Sequence, residues 1–133
     1  MQWSELLTRV KEHGQYDTTA EAERVTRVVL SALGGHLAAP ERGELAACLP
    51  DEARQVLTDP QDVDTPLPAA EFVDSIAARL EGATAATARW DASSVLGTLA
   101  DLIDPQLLNR MIAKLPPGWA LLFGRAQLVG CSG

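Results

Sequence analysis

The chain repeats itself at an offset of 66 residues, and this self-similarity constrains its fold more than any other feature. Aligned without a gap, residues 4–57 match residues 70–123, and ten of the fifty-four pairs are identical. About four identities would arise by chance, so the period indicates a duplicated structural unit. The identical pairs are Glu5/Glu71, Thr18/Thr84, Ala20/Ala86, Ala22/Ala88, Val29/Val95, Leu30/Leu96, Leu33/Leu99, Ala47/Ala113, Leu49/Leu115 and Pro50/Pro116. Many other pairs exchange one apolar residue for another, so the pattern preserves a buried face.

The apolar residues recur at intervals of three and four, which places them on one side of a helix. A first helix is predicted from such a stripe, ending at Gly14. Thr18 followed three residues later by Glu21 is a capping box that opens a second helix. The inward stripes are Trp3, Leu6, Leu7 and Val10 in the first helix, and Ala22, Val25, Val29, Leu33 and Leu37 in the second.

The dipeptide Leu49-Pro50 predicts a corner between two further helices. Pro40 suits the first turn of a third helix, where its missing amide donor costs nothing. A proline inside a helix removes a hydrogen bond, so Pro50 is expected to end that helix and begin a short fourth one. Leu115-Pro116 repeats the corner in the second copy, where Trp119 takes the place of Ala53 and is expected in the core.

These patterns predict an all-α fold, because no segment alternates apolar and polar residues as a strand does. The expected architecture is a tandem duplicated helical bundle with about four helices per repeat, related by a pseudo-twofold axis. Each half is too small to bury a sufficient core alone, so the two repeats are expected to share one. Residues 1–133 then form a single domain: repeat one is 1–58, the linker 59–68, repeat two 69–125 and the tail 126–133.

The charge of the chain favours some partners over others. The formal net charge is −7, and residues 1–66 carry six basic and twelve acidic side chains. Binding to nucleic acid or to an anionic membrane surface needs clustered Lys and Arg, so neither partner is expected. The acidity belongs to the first half and leaves the second half nearly neutral. A basic or neutral partner fits this distribution better.

The start of the chain and its cysteines indicate a cytoplasmic protein. No basic stretch followed by a long apolar run opens the sequence, so neither a signal peptide nor a membrane-spanning helix is predicted. The two cysteines, Cys48 and Cys131, lie 83 residues apart. Free, reduced thiols are expected for both in a cytosolic chain. Cys48 aligns with Lys114, so partial exposure of its side chain is expected.

Three segments resemble a bacterial family of proteins containing the domain of unknown function numbered 2267. They are "ELLTRV" at residues 5–10, "AERVTRVVLSAL" at 22–33 and "ELAACLPDEARQVL" at 44–57, followed by a second, more diverged copy. The resemblance covers residues 1 to about 125. It implies a helical fold of two repeats in a prokaryotic cytoplasm. It implies no activity, so no catalytic residue is transferred.

No arrangement of side chains with a known chemistry is visible in the sequence. It lacks a Gly-rich phosphate loop, a Cys-x-x-Cys pair and a nucleophile elbow. The two histidines, His13 and His36, have no neighbouring cysteine and make too few ligands for zinc. His13 is expected at a helix C-terminus and His36 at the surface or at a helix cap. We therefore expect no enzyme, no metal and no cofactor.

Trp90 is the residue that most suggests a function. It aligns with Arg24 and lies beside the inward stripe of its helix, formed by Ala88, Ala92, Val95 and Leu99. A large ring outside the core is a natural anchor for another surface. The alternative is that Trp90 fills the boundary between the two copies. With Arg89 and Arg27, it forms the candidate interaction surface.

Two functions fit these observations. The first is a non-catalytic protein–protein interaction or regulatory module that binds another protein, or itself as a homodimer, around Trp90. The second is a regulator that binds a small apolar molecule in the groove between the repeats. For the second function, the polar anchors available are Arg27, Arg89 and Arg110.

Overall fold

Helices make up all the regular structure in the part of the chain that the computed structural model describes, namely residues 2–58, 67–80, 82–116 and 118–124. This confirms the all-α prediction. In the described residues, four helices precede the linker and four follow it. They are α1 (Trp3–Gly14), α2 (Thr19–His36), α3 (Ala39–Ala47), α4 (Asp51–Thr58), α5 (Ala69–Arg79), α6 (Ala85–Leu102), α7 (Pro105–Ala113) and α8 (Trp119–Leu122).

The two long helices, α2 and α6, both begin with a threonine cap. The Thr18 hydroxyl accepts a hydrogen bond of 3.1 Å from the backbone N–H of Glu21. The predicted capping box is therefore half formed, because no reciprocal bond from the Glu21 side chain is present among the described residues. The reciprocal pair occurs instead at the start of α6, between Thr84 and Thr87. Thr87 can return the bond because its short hydroxyl reaches the Thr84 backbone at 2.8 Å.

The Leu-Pro corner is confirmed by the ends of α3 and α4. α3 ends at Ala47 with Cys48 as its C-cap, and α4 begins at Asp51, directly after Pro50. Pro40 lies in the first turn of α3, as predicted. The side chains that close the core at this corner are those of Leu49, Ala53 and Leu57, which are all buried.

The helices of the two halves pack against each other around α2 and α6. α1 packs on both α2 and α6, and α5 does the same. α2 also contacts α6, and α3 contacts α7. One continuous cluster of buried apolar side chains runs from Leu6 to Phe123. Because α1 bridges to the helix of the other half, its C-terminal end comes to lie beside the first turns of α6.

Three predictions concern residues outside the described ranges: the linker, the tail and the free thiol of Cys131. The residues concerned are 59–66 of the linker and 126–133 of the tail. Within the described residues, no helix combines the length and the apolar character needed to cross a membrane.

Candidate functional site

Trp90 lies where α1 meets α6, and it is both exposed and anchored. Its side chain is 54% exposed, and only Leu121 is comparably exposed among the large apolar side chains of the described residues. The indole Nε1 donates a hydrogen bond of 2.9 Å to the backbone carbonyl of Gly14, at the end of α1. Each of the two interpretations of Trp90 describes part of what is observed. The ring lies on the boundary between the halves, and about half of its surface is exposed to solvent.

A second contact crosses the same boundary one residue further along α6. The Tyr16 hydroxyl donates a hydrogen bond of 2.6 Å to Oδ1 of Asp91. The Ser94 hydroxyl, one turn later, donates to the backbone carbonyl of Trp90 at 2.8 Å. We call the group Gly14, Tyr16, Trp90, Asp91 and Ser94 the α1–α6 seam. Both of its cross-helix bonds hold the first turns of α6 against the end of α1.

The close contact at the seam depends on Gly14. Gly14 is the last residue of α1, while the left-handed conformation that ends the helix belongs to Gln15, with φ 56°. A Cβ atom on Gly14 would lie 2.7 Å from the Ser94 hydroxyl oxygen and 2.8 Å from Cζ of Tyr16. Gly14 is thus the predicted helix end, but its missing side chain matters because Tyr16 and Ser94 occupy the space beside it.

A cavity of about 250 Å³ opens beside the seam. It is lined from both halves of the chain, with Tyr16, Glu21 and Arg24 on one side and Thr87 and Asp91 on the other. Burial raises the pKa of Asp91 above its ordinary value, partly opposed by the Tyr16 hydrogen bond. Burial likewise raises the pKa of the Tyr16 phenol, and the hydrogen bond and charge of Asp91 raise it further. The cavity is therefore lined by two half-buried titratable groups whose pKa values are raised by burial.

The other two predicted surface residues lie at different places. Arg89 is exposed and precedes Trp90 on α6, so these two share one end of the helix. Arg27 pairs with Glu23 at 2.9 Å and places its guanidinium 5.1 Å from the centre of the Trp3 ring. Trp3 and Gly14 are the two ends of α1, about 17 Å apart along its axis. The structure therefore brings Arg89 to Trp90 but holds Arg27 at the opposite end of α1.

His36 is buried, which corrects its predicted place at the surface. It is 4% exposed, and its ring contacts those of Phe72 at 5.0 Å and Trp119 at 5.4 Å between centroids. Nδ1 lies 2.8 Å from the carbonyl oxygen of Ala32 and must donate to it, while Nε2 has no partner among the described residues. Burial lowers the pKa of His36, so its ring is neutral at pH 7.

An ion pair closes the core next to His36. The Glu41 carboxylate, whose side chain is 4% exposed, accepts a bond of 2.8 Å from Lys114 Nζ. This bond holds the pKa of Glu41 below its usual value. His36, Glu41 and Lys114 enclose only a narrow gap. It is closed to solvent-sized molecules, so we assign this cluster to stability rather than to binding.

The buried His36 predicts a loss of stability in mild acid. Its pKa is lowered in the folded chain, so its contribution is fully present above about pH 6.5 and falls as the pH drops below that value. Glu41 titrates at still lower pH because its pKa is also lowered. We expect urea unfolding between about pH 7.5 and 5.5 to show a smaller decline in the free energy of unfolding for His36→Leu than for the parent. An equal decline in the parent and in His36→Leu would contradict this prediction.

A wider groove of about 620 Å³ lies between the start of α1 and the α3–α4 corner. It is lined in part by Trp3, Cys48 and Glu52. Cys48 is exposed, as predicted, and its thiol donates to the backbone carbonyl of Glu44 at 3.4 Å. In the described part of the chain, no group of three or more His, Cys, Asp or Glu side chains could hold a metal ion.

Sequence reasoning missed Tyr16 and Asp91. They are 75 residues apart and belong to no local motif. One signal was present, since Asp91 aligns with the buried Val25 at the 66-residue offset. A carboxylate in the position of a core valine marks a place where residues 70–123 no longer follow the buried pattern of residues 4–57.

Comparison with known proteins identifies a family but no chemistry. No curated protein matches the chain. The family model described as "Uncharacterized conserved protein (DUF2267)" matches residues 3–122, which include every residue of the α1–α6 seam. This confirms the resemblance seen in the residues. The chain therefore belongs to the family of uncharacterized conserved proteins designated DUF2267.

Proposed function

We propose that the protein is a non-catalytic protein–protein interaction module of the bacterial cytoplasm, and that Trp90 is the anchor of its binding surface. One observation carries the proposal. A tryptophan ring that is 54% exposed is fixed by its own N–H to the backbone of the neighbouring helix. Truncating a tryptophan at the centre of an interface often costs about 2 kcal/mol or more of binding energy.

The geometry of Trp90 suits binding because the ring is held before a partner arrives. A side chain that is already ordered loses less conformational entropy on association than a free one. The bond to Gly14 restrains the indole, while the exposed part of the ring offers apolar area to a partner. Arg89, exposed beside it, supplies a polar edge.

Replacing Trp90 with alanine tests the proposal. We expect Trp90→Ala to weaken binding to the partner by about thirtyfold, because the anchor of the interface is removed. The partner would be captured from an extract of the source bacterium with immobilised parent protein and identified, and its affinity for each variant would then be measured by calorimetry. Leu121→Ala is the matched control, since Leu121 is the other large exposed apolar side chain and is expected to leave the affinity unchanged.

Self-association is measured in the same series by sedimentation from micromolar to near-millimolar concentration. Dimerisation that Trp90→Ala abolishes would make the partner a second copy of this chain. The proposal fails if the parent stays monomeric and Trp90→Ala binds every captured protein as tightly as the parent.

We also propose that the eight helices of the described residues are a tandem duplication with pseudo-twofold symmetry, in a single domain of two repeats. The order of helix lengths supports this, because α2 and α6 both have 18 residues and α3 and α7 both have nine. Equivalent residues should meet only near a twofold axis. Glu44 and Arg110, which correspond at the 66-residue offset, form a two-pronged ion pair between α3 and α7, at 2.6 and 2.8 Å.

A regulator that binds a small apolar molecule between the repeats has less support. Arg27 pairs with Glu23 and Arg110 with Glu44. None of Arg27, Arg89 and Arg110 is among the residues that line the cavity between the halves. Charged groups line that cavity instead, which suits a polar occupant better than an apolar one.

A further inference from the structure

The cavity beside Trp90 holds more negative than positive charge. Glu21 and Asp91 line it together with one cation, Arg24. Arg24 forms no ion pair with either carboxylate, although all three residues are described by the structure. The pKa of Asp91, raised first by burial, is raised more by the charge of Glu21 than it is lowered by that of Arg24. The Tyr16 phenol lies in the same excess of negative charge, since the charge of Glu21 also raises the pKa of Tyr16.

Asp91 supplies the cavity with a hydrogen-bond acceptor. Tyr16 is the only donor to Asp91 among the described residues, and it uses Oδ1, so Oδ2 remains available as an acceptor. The Tyr16 phenol donates its proton to Asp91 and also interacts with the Ser94 hydroxyl, so Asp91 is the acceptor left for an occupant. An ammonium group has three N–H donors and no acceptor, and its positive charge complements the negative charge of the two carboxylates.

The cavity is lined by residues that lie next to the proposed anchor and its hydrogen-bond partner in the sequence. Asp91 follows Trp90 on α6, and Tyr16 lies two residues after Gly14, whose carbonyl accepts the hydrogen bond from the indole. A partner residue lying on the exposed ring therefore has its neighbours within reach of the cavity. A volume of about 250 Å³ accommodates a side chain with a four-carbon stem and a compact charged head.

We propose that this cavity receives a lysine side chain of the protein partner, while an apolar residue next to that lysine covers Trp90. The inference rests on the proposed function and specifies the chemistry of the partner. The net charge of −7 on the whole chain attracts a basic segment and supports its association. The partner surface is therefore a basic segment in which lysine alternates with apolar residues.

Short blocked peptides test the proposal on the intact protein. The probe is acetyl-Leu-Lys-Leu-amide, and the control peptide carries norleucine in place of lysine, with the same stem and no charge. Binding is followed through the indole N–H signal of Trp90 in nuclear magnetic resonance spectra, where Trp3 and Trp119 serve as internal references. We expect a saturable shift of the Trp90 signal, with an affinity about tenfold higher for the lysine peptide than for the norleucine peptide.

Two matched variants separate the cavity from the rest of the surface. Asp91→Asn keeps an acceptor for Tyr16 but removes the charge, and it should reduce the affinity for the lysine peptide about tenfold while leaving the norleucine peptide unaffected. Asp101→Asn makes the same change on the exposed face of α6, outside the cavity, and should bind like the parent. The melting temperature of Asp91→Asn is expected to be no lower than that of the parent, because removing a partly buried charge relieves its desolvation.

Three results would overturn the proposal. The first is equal binding of the lysine and norleucine peptides, and the second is equal weakening by Asp91→Asn and Asp101→Asn. The third is binding of free butylammonium as tight as that of the lysine peptide, which would make the cavity a site for small amines. Each of these leaves the role of Trp90 untouched, whereas a partner that binds Trp90→Ala as tightly as the parent removes the proposed function itself.

Discussion

Replacing Trp119 with alanine is expected to lower the free energy of unfolding by about 3–5 kcal/mol, the usual cost of removing a buried tryptophan. Trp119 is fully buried, and its ring centroid lies 4.3 Å from that of Phe72. Its Nε1 donates a bond of 2.9 Å to the backbone carbonyl of Leu67. The substitution therefore opens a cavity between the two halves and leaves that carbonyl without its donor.

Urea unfolding followed by circular dichroism measures the change, and Trp90→Ala is the matched control. Both variants remove an indole and one hydrogen bond to a backbone carbonyl. Trp90 is half exposed, so its loss is expected to cost about 1 kcal/mol or less. If Trp119→Ala were no less stable than Trp90→Ala, the packing around Phe72 and Trp119 would contribute far less than described.

The helices could be predicted from the sequence because the spacing of apolar residues selects the buried side of each one. The stripe ending at Val10 was located in this way, whereas the corner at Leu49-Pro50 was located from proline, which removes a helical hydrogen bond. The apolar stripe identifies the buried side of a helix without any knowledge of which neighbouring helix packs against it, since every neighbour must cover the same face. The stripes therefore predicted which side of each helix is buried, but not which helix covers it.

The misjudged residues are those whose surroundings come from the other half of the chain. His36 follows two glycines at a helix end, which suggested a surface position. Phe72 and Trp119 bury it, and neither is near it in sequence. The pattern along α2 alone contains no trace of these neighbours. Only a prediction of how the helices pack would have placed His36 in the core.

The candidate site was predictable in part. The offset of Trp90 from the inward stripe correctly indicated a residue outside the core, and the structure finds it on the boundary between the halves as well. Arg27, which was grouped with Trp90, lies instead beside Trp3 at the opposite end of α1. Tyr16 and Asp91 required the contact of α1 with α6, which helical periodicity does not specify.

Alanine in place of Gly14 is expected to lower the free energy of unfolding by about 1–3 kcal/mol, the usual cost of forcing extra atoms into a packed site. At most helical positions the same change is favourable, because glycine costs about 1 kcal/mol relative to alanine. Here the new methyl group would meet the Tyr16 ring and the Ser94 hydroxyl. Moving Tyr16 away would break its bond to Asp91, and displacing the end of α1 would release the indole of Trp90.

Gly43→Ala provides a control with the opposite sign. Gly43 lies inside α3, is exposed, and has open space where a Cβ would be added. Alanine there is expected to stabilise the fold by about 0.5–1 kcal/mol, because it restricts the unfolded chain without touching a neighbour. Chemical denaturation of both variants measures the change in the free energy of unfolding, which should be negative for Gly14→Ala and positive for Gly43→Ala. In nuclear magnetic resonance spectra, the Trp90 indole N–H signal should move only in Gly14→Ala. If Gly14→Ala were stabilising like Gly43→Ala, the close approach of α1 and α6 would be absent, and the fixed anchor with its adjoining cavity would lose its structural basis.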